Sequence, residues 1–186
     1  MAGHILKSAS ITNLDANPIV ANTIGEGAPG NVRIINDYVT PVSADDTTST
    51  YRLCRFPTQA KIKAVYLTPN IATAGSGDVD IAFSDSTTDG TNQALAGGIV
   101  QITGPADNKL FGAAQSLVIA NVRTDFTFKG TYTAAHQNLP IWQVLVNLGA
   151  TQFTADPGGF FDLYVKITTA ITTSNGNLIG EVWYVE

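Results

Sequence analysis

Residues 139–170, LPIWQVLVNLGATQFTADPGGFFDLYVKITTA, decide the fold of this chain. Asn138 can cap a helix, Pro140 fits its first turn and Gly149 suits its end. Between them Ile141, Val144, Leu145 and Leu148 fall at i, i+3, i+4 and i+7, one apolar stripe for burial. Asp156-Pro157-Gly158-Gly159 then dictates a tight turn. After it Phe161, Leu163, Val165 and Ile167 alternate with Asp162, Tyr164, Lys166 and Thr168, the period of a strand with one buried face. Nothing in this stretch is arranged for chemistry. It reads as a helix that closes one end of a sandwich, followed by an inner strand.

Working outward, strand patterns recur from Val32 onward: 32–40, 51–56, 62–68, 79–84, 98–103, 117–121, 123–129, 160–169 and 178–185. The breaks between them are rich in Ser, Thr, Asp, Gly and Pro. Short strands so spaced argue for a sandwich or barrel. Asn175-Gly176 is a strong turn signal and predicts a closing hairpin between 160–169 and 178–185. The first thirty residues differ from the rest. Ile5, Leu6, Ile11, Leu14, Ile19, Val20 and Ile24 follow no period, and Pro18, Gly25, Gly27, Pro29 and Gly30 interrupt any regular element. The expectation is an extended N-terminal arm over 1–30 and a β-sandwich domain over 31–186. An arm with isolated apolar anchors makes sense when draped over another surface, its own domain's or a neighbour's.

Composition agrees with an all-β protein. Of 186 residues 44% are hydrophobic, enough for a packed core, while 13% are charged, about half the usual ~25%. Threonine fills much of the gap and suits half-exposed strands. The net charge of −5 and the scattered basic residues disfavour nucleic acid, whose backbone needs a basic face. Lys61 with Lys63 and Arg52 with Arg55 are the local groupings, read as surface clustering. Cys54 stands alone, so no internal disulfide forms, and its strand pattern predicts a small buried side chain. No apolar stretch has the length of a signal peptide or a membrane span.

Motifs for chemistry are weak. Residues 25–30 spell G-x-G-x-x-G, but a strand pattern follows instead of the helix that would meet a pyrophosphate. Residues 85–92 have the outline of a calcium loop, yet position 3 is Thr87 and position 12 is Ala96, so the ligand set falls short. Asp78 and Asp80 beside it read as a solvated face. His4 and His136 are the only histidines, no G-x-S-x-G surrounds a serine, and His136 is best explained as a surface or capping residue. One cysteine and two histidines make no zinc pattern. The expectation is no catalytic, cofactor-binding or metal-binding residue, and hence no enzyme and no cofactor. Tyr164, Trp183 and Tyr184 are the aromatics that could serve a glycan, though a core or subunit contact accounts for them better.

The 139–170 block resembles the C-terminal part of small decoration, or cement, proteins that tailed bacteriophages place on their capsids. Residues 51–67, YRLCRFPTQAKIKAVYL, resemble the same family's arginine-bearing strand, Pro turn and second strand. Residues 7–38, with Ile11-Thr12-Asn13-Leu14-Asp15-Ala16 and then Asn36-Asp37-Tyr38-Val39-Thr40, resemble its N-terminal arm and first strand. The stretch 85–129 departs most from the pattern. The resemblance implies a jelly-roll-like β-sandwich with one short helix near 140–148. It implies a structural virion protein, synthesised in the host cytoplasm, that decorates and stabilises the capsid exterior. Its partners would be the major capsid protein and further copies of itself, as a dimer or trimer, without nucleic acid or membrane. Ile11, Leu14, Pro18 and Ile19 of the arm are the residues expected to make contacts beyond the subunit. The alternative is a glycan- or receptor-binding sandwich module of a phage fibre or spike.

Overall fold

A computed structural model describes residues 5–8, 11–12, 15–16, 31–43, 45–69, 75–84, 100–101, 109–118, 121–151, 153–172 and 176–186. Ten strands are described: β1 (Ile5–Lys7), β2 (Arg33–Val39), β3 (Thr50–Pro57), β4 (Lys61–Pro69), β5 (Ser76–Ser84), β6 (Val100–Gln101), β7 (Gly112–Ser116), β8 (Thr124–Asp125), β9 (Phe160–Thr169) and β10 (Leu178–Val185). They form two sheets. In the larger the order is β1-β3-β9-β5-β6 with β7 also on β5, and in the smaller it is β2-β10-β4-β8.

The antiparallel pairs β2·β10, β3·β9, β4·β8 and β5·β6 are nested one inside the next along the chain. Successive strands from β2 to β5 alternate between the sheets. This is the double-sheet winding of a jelly roll, as expected. The core fills the space between the sheets. Phe161, Leu163, Val165 and Ile167 of β9 face Leu178, Val182 and Tyr184 of β10 across it, with Tyr51, Leu53, Ile62, Val65, Val79 and Ile81 around them.

The helix α1 (Ile141–Asn147) buries Ile141, Val144 and Leu145 of the predicted stripe, while Leu148 caps its end and is half-buried against the core. Its entry differs from expectation. Asn138 is not its cap: it ends a 3-10 helix, Ala134–Asn138, and its side chain accepts from Lys63 Nζ at 3.2 Å. The first amides of α1 donate instead to the carbonyls of Ala60 (from Ile141, 2.8 Å) and Thr58 (from Trp142, 3.3 Å), so the β3–β4 turn caps the helix. The exit is as read: Gly149 has φ +94°, with Ala150 N–H on Leu145 O and Gly149 N–H on Val146 O. That pair of bonds is the Schellman motif. The Asp156–Gly159 turn is fastened to the same β3–β4 turn, Asp156 accepting from Thr58 Oγ1 at 2.6 Å and Gly159 O from Thr58 N–H at 3.1 Å.

Three strand expectations are corrected. β9 and β10 do not form a hairpin, because nested winding sends them to opposite sheets; Ser174 and Asn175 of the expected turn lie outside the described residues. The strand expected at 117–121 lies earlier, at β7, since Leu117 turns inward beyond the ladder. The strand expected at 123–129 shrinks to β8, after which Thr127 Oγ1 accepts from Val65 N–H at 3.0 Å and the chain turns away. No helix among the described residues is long and apolar enough to cross a membrane.

Candidate functional site

The outer faces of the two sheets differ in kind. On the larger sheet the middle of the outer face of β3, β5 and β9 is covered: Arg52, Arg55, Asp80, Asp162, Tyr164 and Ala82 are all buried, while Phe160 and Lys166 towards the ends of β9 are exposed. Part of the cover is the arm. β1 runs parallel to β3 with Ile5, Leu6 and Lys7 opposite Thr50, Tyr51 and Arg52. A helical turn follows, in which Thr12 N–H donates to Ser8 O and Asp15 N–H to Ile11 O. Asp15 then meets Lys7 Nζ at 2.8 Å, Arg55 Nη1 at 2.8 Å and Arg52 Nη1 at 3.2 Å. Asp162 receives both arginines from the sheet side, Arg52 through Nε at 2.8 Å and Nη2, and Arg55 through Nε at 2.7 Å. The two arginines are therefore a clasp for the arm, not the surface cluster that their spacing in sequence implied. Burial opposes the charge on Asp15, but the Lys7 hydrogen bond and the charges of Arg55 and Arg52 outweigh it, so its carboxyl titrates below the usual value.

Asp80 corrects the solvated-face reading of Asp78 and Asp80. It is 6% exposed, and its Oδ1 accepts from Ile81 N–H at 2.8 Å and Leu110 N–H at 3.3 Å. Burial pushes its carboxyl up to about 7, against the pull of those amides. Asp78 is more open; it accepts from Ala114 N–H at 2.7 Å and lies 3.9 Å from Lys109 Nζ.

The outer face of the smaller sheet is open. Val32, Ile34 and Tyr38 are 51%, 55% and 51% exposed. In the ladder Tyr38 lies opposite Ile179, Asn36 opposite Glu181 and Ile34 opposite Trp183. Alternation puts all six on the same outer face, with half-buried Ile179, Glu181 and Trp183 from β10. Tyr66 of β4 packs edge-on against Trp183 with centroids 5.7 Å apart. Arg123 closes over them, its guanidinium 3.3 Å from the Tyr66 centroid and 5.5 Å from that of Trp183. Glu181 holds Arg123 through two hydrogen bonds, 3.0 and 2.8 Å, which keep its carboxyl below the usual range. Arg123 thus occupies the face of Tyr66 on which a sugar ring would stack and flanks Trp183.

The residues singled out in the sequence are dispersed. Ile11 is fully buried within its own subunit; Leu14, Pro18 and Ile19 lie outside the described residues. So do His4, the glycine-rich stretch 25–30 and the calcium-like stretch 85–92. His136 sits in the 3-10 helix, its Nδ1 accepting from Thr133 N–H at 3.1 Å and its ring against Tyr132, a capping histidine. Cys54 is buried, with Sγ 3.3 Å from Gly180 O, and burial pushes its thiol well up. Tyr164 and Tyr184 are buried, on the outer and inner sides of their strands, while Trp183 remains at the open face. Among the described residues no group of three or more His, Cys, Asp or Glu is placed to hold a metal ion. The open face was missed in the sequence, although the alternation Val32, Ile34, Asn36, Tyr38 set against Ile35 and Val39 carried its signal: apolar residues on both sides of one strand. No family model, curated protein or solved structure matches the chain.

Proposed function

We propose that the chain is a structural virion protein that decorates and stabilises the outer surface of a phage capsid by contacts with the major capsid protein. The sequence resemblance suggests this reading, and one structural observation supports it: the exposed apolar side chains of Val32, Ile34 and Tyr38 on the outer face of the smaller sheet. Contiguous exposed apolar surface marks a protein contact. Virion and lectin domains share the jelly roll, so topology leaves decoration and glycan binding level. The surface favours decoration. A glycan platform needs a cluster of open aromatic faces, whereas Arg123 fills the space over Tyr66 beside Trp183 and leaves Tyr38 as the exposed aromatic of this row.

Head binding by such a face would bury on the order of 1,200–2,000 Å² in total, with apolar and shape terms that salt screens little. The test is sedimentation of undecorated heads with the purified chain. Co-pelleting that saturates and survives added salt is the expected result. A chain that stays in the supernatant yet is retained by a defined glycan would replace this reading with the fibre or spike module.

A further inference from the structure

We infer that β2 is a self-association strand: two copies of the chain pair their β2 strands antiparallel about a two-fold axis at Ile35, joining their four-stranded sheets into one. This does not rest on the capsid reading. β2 lies at the end of its sheet, and among the described residues no strand pairs with its far edge. Its length sets it apart from the other sheet ends. β6 and β8 have two residues each, and the β3 end of the larger sheet is covered by the chain's own β1. β2 has seven residues and is flanked by exposed Val32. Long apolar edge strands template pairing, and short or covered ones do not.

The register follows from charge. With Ile35 opposite Ile35, Arg33 of each copy stands opposite Asp37 of the other, and Val32 opposite Tyr38. Directly opposed residues have Cβ atoms about 4.5–5.5 Å apart, so both unlike-charge pairs and both apolar pairs form at once, with Arg33 shared between Asp37 of the second copy and Glu186 of its own chain, 3.1 Å away. Moving the axis by one residue to Asn36 sets Arg33 against Val39 and Asp37 against Ile35, which pairs charge with aliphatic side chains. The Tyr38 N–H donates to the Asp37 carboxylate at 2.8 Å, which marks the even-numbered residues of β2 as those whose amides face away from β10. The Ile34 and Asn36 amides on that side make the new ladder, and the Tyr38 amide joins it once Asp37 turns to Arg33 of the second copy. Ile35 then faces its symmetry mate in a non-hydrogen-bonded pair, with Cα atoms about 4.5 Å apart.

The experiment is sedimentation equilibrium on the full chain, with crosslinking as a second readout. The wild type is expected to be a dimer. Arg33→Asp and Asp37→Arg should each weaken dimerisation at least tenfold, and the double exchange should restore it, with thermal unfolding followed to confirm that each variant is folded. Ile35→Cys should give a disulfide-linked dimer on mild oxidation, since about 4.5 Å lies within disulfide reach, while Ile34→Cys should not. A monomeric wild type, a trimer, or a dimer that Ile34→Cys crosslinks as well as Ile35→Cys would overturn the proposal.

Discussion

The Asp15 carboxylate of the arm lies 2.8 Å from the Arg55 guanidinium of β3, and through it reaches a network closed by Asp162 of β9. Three segments distant in sequence share these charges, so the described residues of the arm, 5–8, 11–12 and 15–16, are fastened to the larger sheet.

Asp162→Ala should therefore destabilise the chain strongly. It is fully buried, and removing one partner of a buried pair leaves uncompensated charge at a cost of about 3–5 kcal/mol. Asp15 is nearer solvent, so Asp15→Ala should cost less, about 1–2 kcal/mol. Deleting residues 1–30 removes both Asp15 and β1, and should lower the urea midpoint by more than Asp15→Ala alone. Urea unfolding at neutral pH measures all three.

Asp80 and Asp15 should pull the pH dependence of stability in opposite directions. The folded value of Asp80 is raised from 3.8 to about 7, so its contribution is full below pH 4 and is lost as pH rises towards 7. A shift of that size corresponds to about 4 kcal/mol. Asp15 is lowered below 3.8; its contribution is present above that pH and is lost as pH falls through its folded value. Asp80→Asn keeps the acceptor for Ile81 and Leu110 without the charge. It should remove the loss between pH 4 and 7 and be more stable than wild type at pH 8. Unfolding free energies across that range decide it; an unaltered pH profile would contradict the assignment.

Gly180 marks a close approach of the sheets. A Cβ there would lie 2.8 Å from Leu53 Cβ and 2.9 Å from Leu53 Cδ1. Gly180→Ala should cost about 1–3 kcal/mol through overpacking, and Leu53→Ala in the same chain should recover part of the strain. A double-mutant cycle by thermal unfolding measures the coupling.

Much of the scaffold is legible in the sequence because its signals are local. The stripe of α1, the Gly149 exit and the alternation in β9 and β10 all depend on neighbours within a few residues. What was missed depends on distant partners. Arg52 and Asp162 are 110 positions apart, so the clasp left only two unremarkable arginines in the sequence. Alternation put Asp80 on an outer face but could not say that the face is covered. The Asn175-Gly176 signal suggested a hairpin because adjacency favours one, whereas nested winding carries the chain across to the other sheet. The open row on β2 was legible as a strand with apolar residues on both sides, and its exposure became visible only once the sheet order placed it at an edge.

Ile34→Lys should leave stability within about 0.5 kcal/mol of wild type, since the side chain is more than half exposed. It should nevertheless abolish head binding by placing a charge in the apolar row. Equal binding by the variant would remove β2 from the contact.

The most direct measurement is a cryo-electron microscopy reconstruction of undecorated heads incubated with the chain. Ordered density on the shell exterior is the expected result, with the outer face of the smaller sheet, at Val32, Ile34 and Tyr38, turned towards the capsid protein. Bare heads, or density with that face turned to solvent, would contradict it.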